Sequence, residues 1–353
     1  MKRKMLYILS ALLFLSACAP AQTDNNPNVM RYEGDYVVVD EFKPSPKRAF
    51  HGIHLPIHQA LEIGSRLVEL SKQHFDVSEY SLAEGQIITL DRLSALVRRE
   101  SATNPIGLNP PSGSMFPSKS GVDILDAVLV NDVMEINFMQ KRGDEYFLAG
   151  IAIAIVLQPS QVVGFETLTV SDEKLYEYGS DMGRKLESYL RSLSGVGDIP
   201  IYITLYSLAS ADAILPGGMI GEGLFLSRTG QITPLNERWI LIPSNTSNEL
   251  DPLTHSVFLQ LRSRLQTLLP EVIGVFAKAR VVNESLDTMI IEVNSSVKTY
   301  TELLALTQNV LKETAGFEER SIDITIHIKN LISTLVLMEK KANDDFFTII
   351  YLK

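Results

Sequence analysis

A single cysteine, Cys18, is the sequence feature that most restricts how this chain can be stabilised. One cysteine in 353 residues cannot form a disulfide within the chain. The fold therefore has to be held together by buried apolar surface, and a chain of this length can bury a large core. Cys18 itself stays available for a different chemical use.

The residues before Cys18 have the layout of a bacterial export signal. Basic residues at positions 2–4 precede an apolar run, 5–15, that only Tyr7 and Ser10 interrupt. As a helix, about a dozen residues rise about 18 Å, much less than the ~30 Å hydrocarbon core of a bilayer. Residues 1–17 are therefore predicted to be a signal peptide and not a permanent membrane span.

Leu15, Ser16, Ala17 and Cys18 match the lipobox of bacterial lipoproteins, in which an apolar residue and two small residues precede a cysteine. We expect a diacylglyceryl transferase to modify the Cys18 thiol and lipoprotein signal peptidase to cleave before it. The product, a diacylglycerol cysteine with fatty acyl chains such as palmitate, would anchor the protein, since each buried methylene contributes about 0.8 kcal/mol. The predicted location is extracytoplasmic, on the cell membrane, with the N-terminal lipid as the membrane anchor.

The charge of the chain limits its other partners. The formal charge is −10, and loss of the three basic residues of the leader would make it −13. The sequence has no basic stripe with interleaved aromatic residues, so nucleic acid is not an expected partner. Residues 18–45 begin with a polar, proline-containing segment and are predicted to form a tether followed by a first short strand at 37–39.

Apolar periodicity predicts the secondary structure of the first half. The expected elements are a helix through 57–71, a short helix at 91–100 capped by its first carboxylate, a surface loop at 101–121, a helix at 122–131, a hairpin of strands 134–139 and 146–157, a helix spanning 175–193 and a buried strand at 201–205.

The second half repeats this order, with strands 273–282 and 288–293, a helix bearing Leu303, Leu306 and Val310, and a strand at 322–328. The sequence therefore predicts an α+β fold of two units, each with an antiparallel hairpin, a helix and a further strand, and with a mainly helical N-terminal portion. The predicted domains are 46–247 and 248–353. The two halves share no residue-level identity, so two interpretations stay open. The halves are either a duplicated unit or two unrelated occurrences of a common pattern.

Three histidines, His51, His54 and His58, lie within eight residues and raise the question of a metal site. Gly52 and Pro56 separate them, and no fourth ligand is evident. We interpret them as polar residues leading into a helix, and we predict neither a metal nor any other cofactor.

Two Ser-x-x-Lys patterns, Ser171 to Lys174 and Ser295 to Lys298, match a motif of serine acyl-enzymes. Composition alone explains such hits, and both serines are interpreted as helix N-caps. Short motifs for nucleotide, hydrolase or metalloprotease chemistry are missing from the sequence, and no catalytic residue is predicted. Glycosidase chemistry needs only two spaced carboxylates, so an extracytoplasmic enzyme acting on cell-wall glycans stays as the alternative function.

Seven stretches stand out in order through most of residues 60 to 330, and they are Glu84-Gly85-Gln86, Gly107-Leu108-Asn109-Pro110, 149–157, Pro216-Gly217-Gly218, 239–244, 270–274 and 301–308. Together, and in this order, they resemble the CamS family of sex-pheromone-precursor lipoproteins of Gram-positive bacteria.

The resemblance implies that a fragment of the signal peptide is released as a short apolar pheromone. The corresponding segment here consists of Ala11, Leu12, Leu13, Phe14, Leu15, Ser16 and Ala17. The folded body has no implied activity, and we expect a non-catalytic role in binding a ligand that the sequence does not identify. A scaffold contacting other envelope proteins is a third possibility.

Glycines and polar residues in the shared stretches mark loops that can bind a ligand. The candidate ligand-binding residues are Glu84, Gln86, Asn109, Gly217 and Gly218. The alternative interpretation is that these residues only shape tight turns.

Overall fold

The computed structural model describes residues 35–210, 213–269, 272–317 and 321–352. The predicted signal peptide, the lipobox, Cys18 and the tether up to residue 34 lie outside the described residues. Helices and strands mix throughout the described part, which confirms the α+β class.

The elements of the first half fall into one sheet, two short ribbons and four helices within the described residues. In chain order they are β1 (Val37–Val38), α1 (Arg48–His54), α2 (Ile57–Ser71), β2 (Ser81–Glu84), α3 (Leu90–Leu96), β3 (Met115–Pro117), β4 (Asp123–Leu125), β5 (Val130–Arg142), β6 (Glu145–Leu157), β7 (Ser160–Val163), β8 (Glu166–Thr169), α4 (Asp172–Arg191), β9 (Ile201–Ser207), β10 (Gly218–Phe225) and β11 (Thr233–Pro234).

The second half forms another sheet with its own helices. Its elements are β12 (Glu237–Ile242), α5 (Asn245–Leu250), α6 (Pro252–Leu268), β13 (Val272–Val282), β14 (Ser285–Ser295), α7 (Tyr300–Thr314), a 3₁₀ turn (Ala315–Phe317), β15 (Asp323–Lys329), β16 (Thr334–Lys340) and β17 (Thr348–Tyr351).

The two sheets have related topologies. The first has the order β1-β2-β5-β6-β9-β10-β11 and the second the order β12-β13-β14-β15-β16-β17. In each, a long hairpin is followed by a helix and a strand that pairs parallel with the second hairpin strand, β6 with β9 and β14 with β15. The predicted repeat of hairpin, helix and strand is therefore confirmed.

Strand β6 shows why the first sheet occupies the centre of its unit. Its residues from Gly150 to Leu157 are all buried, because helices cover both faces. Ile151, Ile153 and Ile155 pack in the core on the side of α3 and α4, while the alternate Ala152 and Ala154 pack in the core that includes α2. A strand buried on both faces reads as a continuous apolar run, as it does here.

The predicted helix at 122–131 is wrong. The chain there forms β4, in which Ile124 pairs with Phe116 of β3, and then enters β5 at Val130. Asp126 has a φ of 57°, which a helix does not allow. The apolar spacing suited a helix, but pairing with a strand that lies inside the predicted loop decided the conformation.

Two further elements differ from the prediction. The short helix spans Leu90–Leu96, and its cap is Thr89, which accepts a hydrogen bond from Arg92 N–H at 3.4 Å, so Asp91 is not the cap. The loop at 101–121 is not wholly on the surface, because it contains β3 and buries Leu108 and Phe116.

Two charged residues of α2, the buried Arg66 and the exposed Glu69, join the first unit to the second sheet. Arg66 donates to Glu237 of β12 from Nε and Nη2, each at 2.7 Å, and both side chains are buried. Glu69, one turn later, accepts from Arg280 of β13 at 2.9 Å. The predicted division at 247/248 stays a prediction, and β12, the first strand of the second sheet, lies before it.

Candidate functional site

A cleft of about 720 Å³ opens where β2 ends, which is the size of many ligand-binding cavities. Three segments form its walls: the chain that follows β1, the loop after β2, and the turn end of the β5–β6 hairpin. The lining residues are Val39, Asp40, Glu41, Lys43, Ala83, Glu84, Gln86, Ile87, Asn137, Met139, Asp144, Glu145, Tyr146 and Leu148. Two of the predicted ligand residues, Glu84 and Gln86, are among them.

A buried ion pair beneath the cleft, Lys47 with Glu135, holds these segments together. The Glu135 carboxylate also accepts hydrogen bonds from the backbone N–H groups of Ile87 and Ile88, each at 2.9 Å. Lys47 Nζ donates in addition to the carbonyl oxygen of Ile88 at 2.9 Å. The pair therefore ties the N-terminal segment, the loop after β2 and β5 to one another.

Position 85, between Glu84 and Gln86, is packed so closely that it favours glycine. A Cβ at this position would lie 2.6 Å from the side chain of Glu135, closer than real Cβ atoms approach. The amide of Asn137, oriented to satisfy both polar atoms, donates to Glu135 Oε1 at 2.9 Å and accepts from Gln86 N–H at 3.2 Å. The Glu-Gly-Gln stretch thus fits around the buried carboxylate and presents its two outer side chains at the cleft.

Hydrogen bonds at the rim connect the N-terminal segment to the hairpin. Asp40 Oδ2 accepts from Tyr146 OH and from Lys141 Nζ, each at 3.3 Å. The hydrogen bond to Asp40 raises the pKa of Lys141 above its ordinary value. On the opposite wall Gln86 Nε2 donates to the carbonyl oxygen of Lys43 at 3.1 Å, and Glu84 Oε2 accepts from Ser45 N–H at 3.1 Å.

The cleft combines negative charge with apolar surface. Its lining contains five carboxylates and one lysine, Lys43, beside apolar side chains such as Met139 and Leu148. Glu41, Asp144 and Glu145 are exposed at the rim. Such a lining attracts cations and favours ligands that also carry apolar groups.

The other predicted ligand residues lie elsewhere. Asn109 is buried, and its amide donates to the carbonyl oxygens of Val97 and Val130 and accepts from the N–H groups of Leu129 and Val130, all at 2.7–2.8 Å. These bonds use the full capacity of the amide. Asn109 therefore fastens the loop before β5, and its geometry supports the structural interpretation.

Gly217 and Gly218 are sites of close backbone packing. A Cβ on Gly217 would lie 2.0 Å from the carbonyl oxygen of Ser207, and one on Gly218 would lie 2.5 Å from that of Glu237. Gly218 thus allows β10 to approach β12 where the two sheets meet. Neither glycine lines the cleft.

The three histidines have separate environments. His51 Nδ1 lies 2.7 Å from Oδ2 of the buried Asp132, His54 packs against Phe50 with ring centroids 4.3 Å apart and the rings tilted by 32°, and His58 is exposed. Across the described residues, no three or more His, Cys, Asp or Glu side chains are grouped to hold a metal ion.

The two Ser-x-x-Lys serines differ from each other. Ser171 is the N-cap residue of α4, as predicted, and Lys174 pairs with Glu177 at 3.0 Å. Ser295 is buried at the end of β14, so its N-cap interpretation is wrong; the cap of α7 is Thr299, whose side chain accepts from Glu302 N–H at 3.2 Å.

Sequence reasoning missed most of the cleft. Lys47, Glu135 and Asp40 were not singled out, although Glu135 places a charge between the apolar residues Met134 and Ile136 of β5. A carboxylate in a buried strand needs a compensating partner. The sequence therefore contained one indication of this site, the need for a buried cation near Glu135.

No helix in the described ranges has the length and apolar character to cross a bilayer.

Comparison with known proteins identifies relatives by sequence and by fold. The family model described as CamS sex pheromone cAM373 precursor matches residues 55–345. No curated protein matches the sequence.

Solved structures that share the fold include two sex pheromone precursors. The sex pheromone precursor from Lactobacillus salivarius subsp. salivarius UCC118 has a TM-score of 0.78 and 20% identity, over 92% of this chain and 98% of that one. The C-terminal domain of the sex pheromone staph-cAM373 precursor from Staphylococcus aureus has a TM-score of 0.70 and 19% identity, over 84% and 97% of the respective chains.

The close approach of Gly85 to Glu135 predicts that Gly85→Ala destabilises the protein by about 1–3 kcal/mol, because the added methyl group overpacks a buried site. Urea unfolding measures the change in free energy. The matched control is Gly52→Ala in α1, where a Cβ meets nothing within 4 Å and alanine in a helix stabilises by about 0.5–1 kcal/mol. Equal stability of the Gly85→Ala variant and the parent would contradict the packing argument.

Proposed function

This chain belongs to the CamS family of sex pheromone precursors, and we propose that it is an exported lipoprotein whose leader is the source of a short apolar signalling peptide. The observation that carries the proposal is the combination of that membership with the chain's own sequence at 11–18, an apolar heptapeptide followed directly by Cys18. Cleavage before Cys18 would end the peptide at Ala17 and leave the cysteine to carry the membrane anchor.

The chemistry of the segment suits both roles. The side chains of residues 11–17 carry no charge, so they would lose little hydration energy when a released peptide enters a membrane or an apolar receptor groove. Two acyl chains on Cys18 would anchor the body stably. The seventeen steps from Cys18 to Asp35 reach about 60 Å at most, which would let the folded body stand clear of the headgroups.

For the folded body we propose a non-catalytic role, the binding of cationic segments with apolar side chains in the cleft at Glu84 and Gln86. The excess of carboxylates at the rim supports attraction of positive charge, and Met139 and Leu148 offer apolar contacts. A volume of about 720 Å³ suits a few residues of a peptide.

Mass spectrometry tests the leader proposal. Bacteria producing the full-length chain should yield a diacylated N-terminal fragment that starts at Cys18, together with a heptapeptide of residues 11–17 in the medium. Cys18→Ser should lose the lipid and membrane retention, because serine has no thiol to modify. Ser10→Ala, inside the apolar run, should leave both products unchanged. Membrane retention of Cys18→Ser equal to that of the parent would overturn the proposal.

Binding of an alternating Lys-Leu hexapeptide tests the cleft. We expect binding that weakens with added NaCl, and an affinity roughly fivefold lower in the double variant Asp144→Asn with Glu145→Gln, since exposed charge pairs contribute up to about 1 kcal/mol. Glu249→Gln, an exposed carboxylate outside the cleft, is the control. Binding that is insensitive to the double variant contradicts the cleft as the site.

Hydrolysis of cell-wall glycan that Glu84→Gln abolishes would instead favour the enzyme alternative.

A further inference from the structure

Of the four edges of the two sheets, three are short or covered. The first sheet ends in β1 and β11, each two residues long, and β11 contains Pro234. At the β12 edge of the second sheet, β10 packs closely, with Gly218 beside the carbonyl oxygen of Glu237 and Met219 N–H donating to Glu237 Oε1 at 3.3 Å. Short, proline-containing or covered edges are the usual protection against pairing with another chain.

The fourth edge, β17, is four residues long, and within the described ranges it contains no proline and no further strand pairs with it. It is the last strand of the second sheet, and it lies within the run Phe346 to Leu352, which reads Phe-Phe-Thr-Ile-Ile-Tyr-Leu without a charge, proline or glycine. Much of this run is exposed: Phe346 by 84%, Ile350 by 42%, Tyr351 by 36% and Leu352 by 46%. Charge-free runs of high β propensity on an open edge readily add another strand.

The hydrogen bonds to β16 show which backbone groups of β17 point outward. Leu352 N–H donates to the carbonyl oxygen of Leu335 at 2.9 Å, and the pairing continues without a register shift. Because the direction alternates along an antiparallel strand, Ile350 also points toward β16. Ile349 and Tyr351 therefore direct their N–H and C=O groups away from the sheet.

We propose that β17 pairs with β17 of a second copy of this chain, in an antiparallel dimer with Ile350 of each copy opposite the other. In this register Ile349 of one copy faces Tyr351 of the other, and each such pair exchanges two hydrogen bonds. The outward groups complement themselves under a two-fold rotation, as an isologous interface requires. The six-stranded sheet of one copy and the six-stranded sheet of the other then form one continuous sheet.

Charge favours a second copy in this orientation. The run Phe346 to Leu352 carries no charge, so a second copy can pair along it without placing like charges opposite each other, although the whole chain has a formal charge of −10. Asp344 and Asp345 precede it and are exposed. Antiparallel pairing places the two acidic pairs at opposite ends of the interface, whereas parallel pairing would place them side by side.

Disulfide crosslinking tests the register in the full-length chain on membranes of producing bacteria. Residues opposite each other in a non-hydrogen-bonded pair have Cα atoms about 4.5 Å apart, within the range that a disulfide bridges. Ile350→Cys should therefore give a dimer on a non-reducing gel after mild oxidation. Leu352→Cys, directly after β17 and opposite Thr348 of the other copy, should give roughly tenfold less, because its two thiols lie too far apart.

A second pair of variants separates loss of pairing from loss of folding. Tyr351→Pro removes an outward N–H and keeps the bonds to β16, so combined with Ile350→Cys it should lower the crosslinked fraction roughly tenfold. Tyr351→Thr keeps the N–H and should leave crosslinking unchanged, and thermal unfolding checks that both variants fold. Equal crosslinking of Ile350→Cys and Leu352→Cys, or none from Ile350→Cys in the folded protein, would overturn the proposal.

Discussion

The buried ion pair between Lys47 and Glu135 is the interaction on which the candidate site depends. Removing two charges from water is costly, and the cost is offset only when every remaining donor and acceptor finds a partner. Here the backbone N–H groups of Ile87 and Ile88 and the carbonyl oxygen of Ile88 provide those partners. A pair satisfied in this way fixes three chain segments at once, and those segments are the walls of the cleft.

The two units of the fold use the same strand order for different purposes. The first buries both faces of its sheet beneath helices and keeps a cleft at the end of β2. The second contributes β12 and β13 to an ionic interface with α2, and β17 is its last strand among the described residues. Charge on α2 joins the units, so the chain builds one connected molecule without a disulfide.

Local patterns in the sequence were sufficient for the main elements and not for the site. Strands β6 and β9 can be recognised in the sequence as apolar runs, and α4 can be recognised by the regular spacing of its apolar residues. Burial imposes both patterns on the local sequence. The helix prediction for 122–131 was wrong because the conformation of this segment depends on pairing with β3, a partner that its own residues do not specify. Glu84 and Gln86 could be selected from a family resemblance, whereas Lys47 and Glu135, 88 positions apart in the chain, meet only through the tertiary fold.

Hydrogen exchange at the amides of Ile87 and Ile88 tests the central claim most directly. If the Lys47–Glu135 pair holds the loop after β2, then Lys47→Met leaves Glu135 without its cation, and exchange at these two amides should accelerate roughly tenfold or more. Amides in β13 of the second sheet should keep their protection. Unchanged exchange at Ile87 and Ile88 in the folded variant would contradict the account.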